Sequence, residues 1–295
     1  MRTRSIAAGV LALSLLAAAC GDDADDAPVA EEPAAEEPAA DECATLPTVQ
    51  EGMLTVATGE TVFPPWMGAG EDDFDDPTTG TGYEGALVFA LAEELGLTAE
   101  QVTFVRTGFD EVIAPGAKDW DFNIQQYSIT PERDEVVDFS DGYYQVEQAI
   151  IGRSDGPAAS AATLADLKGL RIGAALGTTS LDYAESVIAP DEQVQVYDDN
   201  AAAKAAFDAN QVDAIVFDLP TAYYITAVEI TDASIIGVLP RSSDAPEELG
   251  MLFEDGNPLV ACVNIALAAL RDNGTLDTLE DQWLNAGGSI PSITE

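Results

Sequence analysis

From Cys43 onward the chain alternates apolar runs with amphipathic stretches, and that alternation sets the expected elements. MLTVATGE reads as a strand ending in a turn, FPPWMGAGEDDFDDPTTGTGYEG as a long irregular loop, and ALVFALAEELG as an amphipathic helix closed by Gly96. VTFVRT is a strand, FDEVIAPGAK a short helix and WDFNIQQY a strand. QAIIGR, RIGAALG, QVQVY and VDAIVFD follow as strands, with TLADLKG, TTSLDYAESVI and AAAKAAFDANQ as helices between them. Past Asp218 the pattern predicts a helix over 220–227, short strands near Ala233 and Leu252, and two closing helices, NPLVACVNIALAALRDNG and TLDTLEDQWLNAGG. Strands alternating with helices in a chain of 295 residues predict an α/β architecture with room for two lobes.

Several strand ends carry chemistry. In YSITPERDEVVDFSDGYY, Thr130 stands where an N-cap belongs and Pro131 takes the first helical position. Arg133 then falls in the first turn, where a cation is disfavoured by the partial positive charge of the helix start. Either Glu132, Asp134 or Glu135 neutralises it, or Arg133, the Ser128 hydroxyl and free strand-end N–H groups receive an anion. Gly177-Thr178-Thr179-Ser180 forms a second strand-to-helix turn able to receive an anion, although Thr and Ser are also simply good N-caps. Asp218 ends an apolar strand before Leu219-Pro220, as a cap for the next helix or as an anionic partner. Glu60, Phe63 and Trp66 cluster after the first strand. Ligands of open α/β sheets bind beyond the carboxyl ends of the strands, where all these groups lie. Arg133, Ser128 and Thr179 offer a carboxylate seat and Asp218 an ammonium partner, which together describe a receptor for an α-amino acid. Phe63, Trp66 and Phe109 clamp its apolar part or belong to the core.

Composition narrows this further. With 54 acidic and 11 basic residues the formal charge is −43, which argues against nucleic acid and against electrostatic attachment to anionic lipid. An uncharged or cationic ligand fits better. The chain has no histidine, which removes the usual near-neutral acid/base, Ser-His and Cys-His nucleophiles and most zinc sites; no metal or cofactor is expected. Residues 1–19 have the three-part plan of a secretory signal. Leu16-Ala17-Ala18-Ala19-Cys20 resembles the bacterial lipobox, with Cys20 as the lipidated mature N-terminus; cleavage after Ala-x-Ala with an incidental cysteine is the alternative. Residues 20–42 carry ten acids and no base and read as a disordered tether. Cys43 and Cys262 are expected to form a disulfide in an exported protein, two buried thiols being the alternative.

Ser128-Ile129-Thr130-Pro131-Glu132-Arg133, followed by Val137-Asp138-Phe139-Ser140 and Tyr143-Tyr144, resembles the signature of the polar amino-acid family of ABC-transporter solute-binding proteins. Gly82-Tyr83-Glu84-Gly85-Ala86-Leu87, Leu167-Lys168-Gly169, Gly177-Thr178-Thr179 and Val212-Asp213-Ala214 with Asp218 continue the match in order. The resemblance implies a two-lobed type II periplasmic-binding-protein fold, with residues 43–145 and 250–295 as one lobe, 146–249 as the other, and two crossovers as the hinge. It implies that Arg133 grips a ligand carboxylate with the Thr179 hydroxyl and that Asp218 holds the amino group, helped by Ser128. Phe63 and Phe109 would stack on the side chain, Glu60 or Gly59 would read an amide or cationic group, and Gln126 would join the ligand set. Ala175, where some amide-binding relatives carry lysine, and the bulky Gln125-Gln126 depart from the pattern. The implied protein is a non-enzymatic, monomeric component of an ABC importer, anchored through Cys20 to the outer face of the cytoplasmic membrane. Its partners would be a free amino acid and a membrane permease. A dehydratase using Glu60 as its acid, and a ligand-sensing receptor domain, are the rival expectations.

Overall fold

The computed structural model describes residues 42–68, 75–284 and 289–295. The expected signal sequence, Cys20 and the tether up to residue 41 lie outside the described residues. The chain runs through β1 (Leu54–Gly59), α1 (Tyr83–Glu94), β2 (Val102–Thr107), α2 (Phe109–Ile113), β3 (Phe122–Asn123), α3 (Pro131–Asp134) and β4 (Val137–Phe139). It crosses on β5 (Tyr144–Val146) to β6 (Gln148–Arg153), α4 (Leu164–Leu167), β7 (Ile172–Ala175), α5 (Thr179–Tyr183), β8 (Gln195–Tyr197), α6 (Asn200–Asp208), β9 (Ala214–Asp218), α7 (Leu219–Tyr224) and β10 (Ala233–Val238). It returns on β11 (Glu247–Leu249) to β12 (Leu252–Glu254), α8 (Leu259–Asp272) and α9 (Thr275–Trp283).

Two five-stranded sheets result, ordered β2-β1-β3-β12-β4 and β10-β6-β9-β7-β8, joined by the antiparallel pair β5 and β11. β1 is parallel to both its neighbours and buried along almost its whole length, as expected of a strand covered on both faces. On one face Leu54 and Val56 pack with Leu87 and Leu91 of α1 and Leu267 of α8; on the other Ala57 packs with Trp120, Tyr127, Val137 and Leu252. The second sheet likewise separates Ile150, Ile172 and Ala174 on one face from Ala149, Ile151, Phe207 and Phe217 on the other. Each lobe thus owns a core on both sides of its sheet, and relative motion between the lobes leaves both cores intact.

Local chemistry shortens some expected elements. α2 stops at Ile113 because Ala114 precedes Pro115 and adopts φ −60°, ψ 133°. β3 keeps only two residues of WDFNIQQY, since Gln126 turns left-handed at φ 51° and redirects the chain toward α3. Gly82, at φ 80° before α1, lies where a Cβ would meet the Trp66 carbonyl oxygen at 2.5 Å, so only glycine fits.

The end of the chain departs from expectation. The resemblance implies residues 250–295 in the first lobe, and Leu284 does pack in its core. Ile293, however, is buried in the core of the second lobe. Its N–H donates to the Val238 carbonyl at 2.8 Å, the Val238 N–H donates to Pro291 O at 2.9 Å, and the Leu164 N–H donates to Thr294 O at 2.8 Å. The tail covers the open edge of β10, whose unpaired backbone groups would otherwise face water.

Candidate functional site

A cavity of about 430 Å³ lies between the lobes, and its lining includes Glu60, Phe63, Phe109, Gln126, Ser128, Arg133, Thr179 and Asp218. All eight candidate residues therefore come together, drawn from chain segments as far apart as β1 and β9. Gly59, Trp66, Gln125 and Ala175 line the same space.

Arg133 sits in the first turn of α3, as the sequence predicts, with Thr130 as N-cap accepting its N–H at 3.3 Å and Pro131 at the first position. It is buried and takes part in no ion pair among the described residues, so Glu132, Asp134 and Glu135 do not neutralise it. Its guanidinium donates to Ser128 O at 2.7 Å and, across the lobes, to Gly177 O at 2.9 Å. The stacked rings of Phe109 and Tyr127, 4.4 Å apart, lie beside it, each centroid within 5.8 Å of Cζ. Burial lowers the guanidinium pKa, and Tyr127, Asp182, Glu247 and Asp218 oppose that shift. A guanidinium has five N–H donors; with two engaged, the remainder can receive an anion.

Asp218 occupies the N-cap position of α7 yet makes no capping bond. Its Oδ1 accepts instead from Gln148 Nε2 at 2.8 Å. Burial, with the nearby Glu247 carboxylate, pushes its pKa up to about 7. Thr178 rather than Thr179 caps α5, accepting the Leu181 N–H at 3.1 Å, which frees the Thr179 hydroxyl.

The structure adds a residue that strand-end patterns did not single out. Glu247, first residue of the returning hinge strand, accepts from Ser128 Oγ and from Thr179 Oγ1 on the same oxygen, Oε1, at 2.6 Å each. The expected carboxylate seat included both hydroxyls; their protons point instead at an internal carboxylate. Gln148 approaches the other Glu247 oxygen at 3.3 Å and accepts from Ser180 Oγ at 2.6 Å. The polar pair Glu247-Glu248 next to Gly250 was the only sequence signal for this site, and exposed acids are common in so acidic a chain.

Gln126 turns its side-chain amide onto Glu84 at the start of α1, and its N–H donates to Glu84 Oε1 at 2.8 Å. Tyr143 also donates to Glu84, which is fully buried with its pKa pushed up to about 7 by burial. Trp66, an expected ring clamp, donates from Nε1 to Thr221 Oγ1 of the other lobe at 2.8 Å. With the Arg133–Gly177 bond this marks a closed cleft. Gly177 holds φ 71° against Asp110 of the facing lobe, and any side chain there would collide with that carboxylate. Glu60 and Gly59 both line the cavity, but Gly59 contributes only backbone, its carbonyl accepting from Arg106 at 2.8 Å. Glu60 joins Asp110, Glu111, Asp198 and Asp199 at the mouth, all exposed; Arg133 is the only base in the described lining.

Cys43 and Cys262 form a disulfide with Cα atoms 5.6 Å apart. Both cysteines pack with the first lobe's core, so the bond braces that lobe rather than the hinge.

The model of bacterial extracellular solute-binding proteins, family 3, matches residues 54–286, and the chain belongs to that family. Among curated relatives, the L-cystine-binding protein TcyJ of Escherichia coli K12 is 28% identical over 240 residues, 80% of this chain and 84% of that protein. The ABC transporter arginine-binding protein 1 of the same strain is 29% identical over 212 residues, covering 68% and 81%. Among solved structures, an ancestral arginine-binding protein bound to glutamine is 31% identical with a TM-score of 0.66, over 79% of this chain and 98% of that one. Both curated relatives are named as amino-acid-binding proteins.

Proposed function

We propose that this protein is the substrate-binding component of an ABC importer and captures an α-amino acid with a cationic side chain, L-arginine being the type ligand. The reading rests on one observation: a buried arginine with spare donors and a half-buried aspartate face the same closed cleft from opposite lobes. Arg133 takes the ligand carboxylate, and Asp218 takes the ammonium with the lone pairs of Ser128 and Thr179. Phe63 and Phe109 flank the side chain. Glu60, Asp110 and the other mouth acids favour a positive end group over a negative one. The arginine-binding relative carries a name that fits this class, and the cystine-binding relative shares with it an α-amino-acid ligand. Opening separates Arg133, Ser128 and the aromatic rings from Thr179 and Asp218, so ligand selects the closed state, which a permease then reads.

The protein is a monomer that returns its ligand unchanged. Glu60, the acid a dehydratase would need, is exposed, whereas Arg133 in the same cavity is buried. Export and attachment through a lipidated Cys20 would hold the binding lobes at the outer face of the membrane; palmitate labelling that persists in Cys20→Ser would contradict this. A thermal-shift panel of arginine, lysine, ornithine, glutamine, cystine and glutamate tests the ligand class. A ligand at a hundredfold its dissociation constant adds about 2.7 kcal/mol, so arginine should give a clear upward shift and glutamate none. A shift with glutamate alone would refute the cationic reading.

A further inference from the structure

We propose that Glu247 is a positioning residue: by accepting both hydroxyl protons at the hinge end of the cleft, it turns Ser128 and Thr179 into pure acceptors and latches the two lobes together. The inference rests on the amino-acid reading above and assigns its head-group discrimination to a residue that does not line the cavity.

A hydroxyl has a single proton. The 2.6 Å distances from Ser128 Oγ and Thr179 Oγ1 to Glu247 Oε1 lie in the range of charge-assisted O–H···O⁻ bonds, so both protons are engaged there. The hydroxyl oxygens are 3.3 Å apart and need no proton between them. The amide of Gln148 is fixed as well. Ser180 donates to its Oε1, and turning the amide over would set that oxygen against the carboxylates of Asp218 and Glu247. Lone pairs of Ser128, lone pairs of Thr179 and the Asp218 carboxylate are what this corner can offer a ligand. Three acceptors suit the three donors of an ammonium and repel a carboxylate. A ligand entering backwards, or one without its amino group, closes the cleft over an Asp218 carboxylate with no cationic partner.

The same contact is a latch. Ser128 belongs to the first lobe and Thr179 to the second, and Glu247 lies on the strand between them. Because one oxygen holds both hydroxyls, opening of the cleft must break at least one of the two bonds. Closure restores both and presets the corner for ammonium.

The test uses the mature chain carrying Glu247→Gln, with L-arginine and its des-amino analogue 5-guanidinopentanoate as probes, read by calorimetry and stopped-flow release. The neutral amide frees the hydroxyl protons, so L-arginine affinity should fall at least tenfold, mainly through faster release. The preference for L-arginine over 5-guanidinopentanoate should shrink at least fivefold. Unchanged L-arginine affinity overturns the proposal, and so does an equal loss for both probes, which is what a merely structural role gives. Thr179→Val supplies a second route, since it removes the latch contact on one lobe and leaves Glu247 in place. If Glu247 and Thr179 act through their shared contact, adding Glu247→Gln to Thr179→Val costs less than Glu247→Gln costs alone, the remaining loss being that of the Ser128 contact; independent, multiplicative losses overturn the link. Wild-type protein that binds no amino acid at all defeats the amino-acid reading itself, an outcome distinct from normal wild-type binding with an unaltered variant.

Discussion

At the hinge end of the cleft Arg133, Ser128, Gln148 and Ser180 sit deep in the protein and Asp218 is half-buried, each tied to a neighbour, whereas at the mouth Glu60, Asp110, Glu111, Asp198 and Asp199 are exposed. The hinge end works by geometry, because buried donors and acceptors cannot rearrange cheaply. The mouth works by net charge, because exposed carboxylates are solvated and mobile and each contributes little. On the proposed reading, one cleft joins a rigid reader of the amino-acid head to a permissive reader of the side chain.

The comparison is broken most directly at the hinge end. Arg133→Ala and Asp218→Asn should each cost about 3 kcal/mol or more in L-arginine binding, over a hundredfold by calorimetry, because each leaves a buried partner charge unmet. Near-normal affinity in either variant would contradict the rigid-reader description. Next in size is pH. Only ionised Asp218 pairs with ammonium, so L-arginine affinity should fall below about pH 7, by up to tenfold per unit. Ligand-free stability should move the other way. Between the ordinary values of 3.8 for Asp218 and 4.5 for Glu84 and the folded-state value of about 7, the folded chain holds protons that the unfolded chain has released. Acidifying from pH 7 to 5 should thus raise the melting temperature, and a melting temperature that falls over that interval would count against burial of these two groups.

Mouth substitutions should be smaller. Asp110→Asn and Asp198→Asn should each weaken L-arginine about two- to fivefold, with glutamine unaffected and the salt dependence of association reduced. A hundredfold effect there would erase the distinction between the two ends. The smallest effect on binding should come from Cys43→Ser with Cys262→Ser. Loss of the disulfide should lower stability by up to about 5 kcal/mol and leave the dissociation constant unchanged, since the bond lies within one lobe.

Much of this was legible in the chain. The alternation of apolar runs with amphipathic helices specified an α/β architecture, and Thr130-Pro131 marked the start of α3 and hence the unusual place of Arg133. Strand-end positions also brought Thr179 and Asp218 into the candidate set, because local periodicity tells which end of a strand a residue occupies. Other features depended on the partner a side chain finds. Asp218 had two local readings, and only the approach of Gln148 from β6 decided against capping. Ser128 and Thr179 had the composition of a carboxylate seat, yet Glu247, more than sixty residues from either, takes their protons.

The sequence by itself determined most of the elements and the types of charged group at the strand ends, since these follow from periodicity and capping within a few residues, while the two lobes were implied by resemblance to the family. Only the tertiary structure decided which way each proton points, which acid is buried, and that the last residues cross to the second lobe. Those outcomes depend on distances between segments far apart in the chain, and no local pattern encodes them.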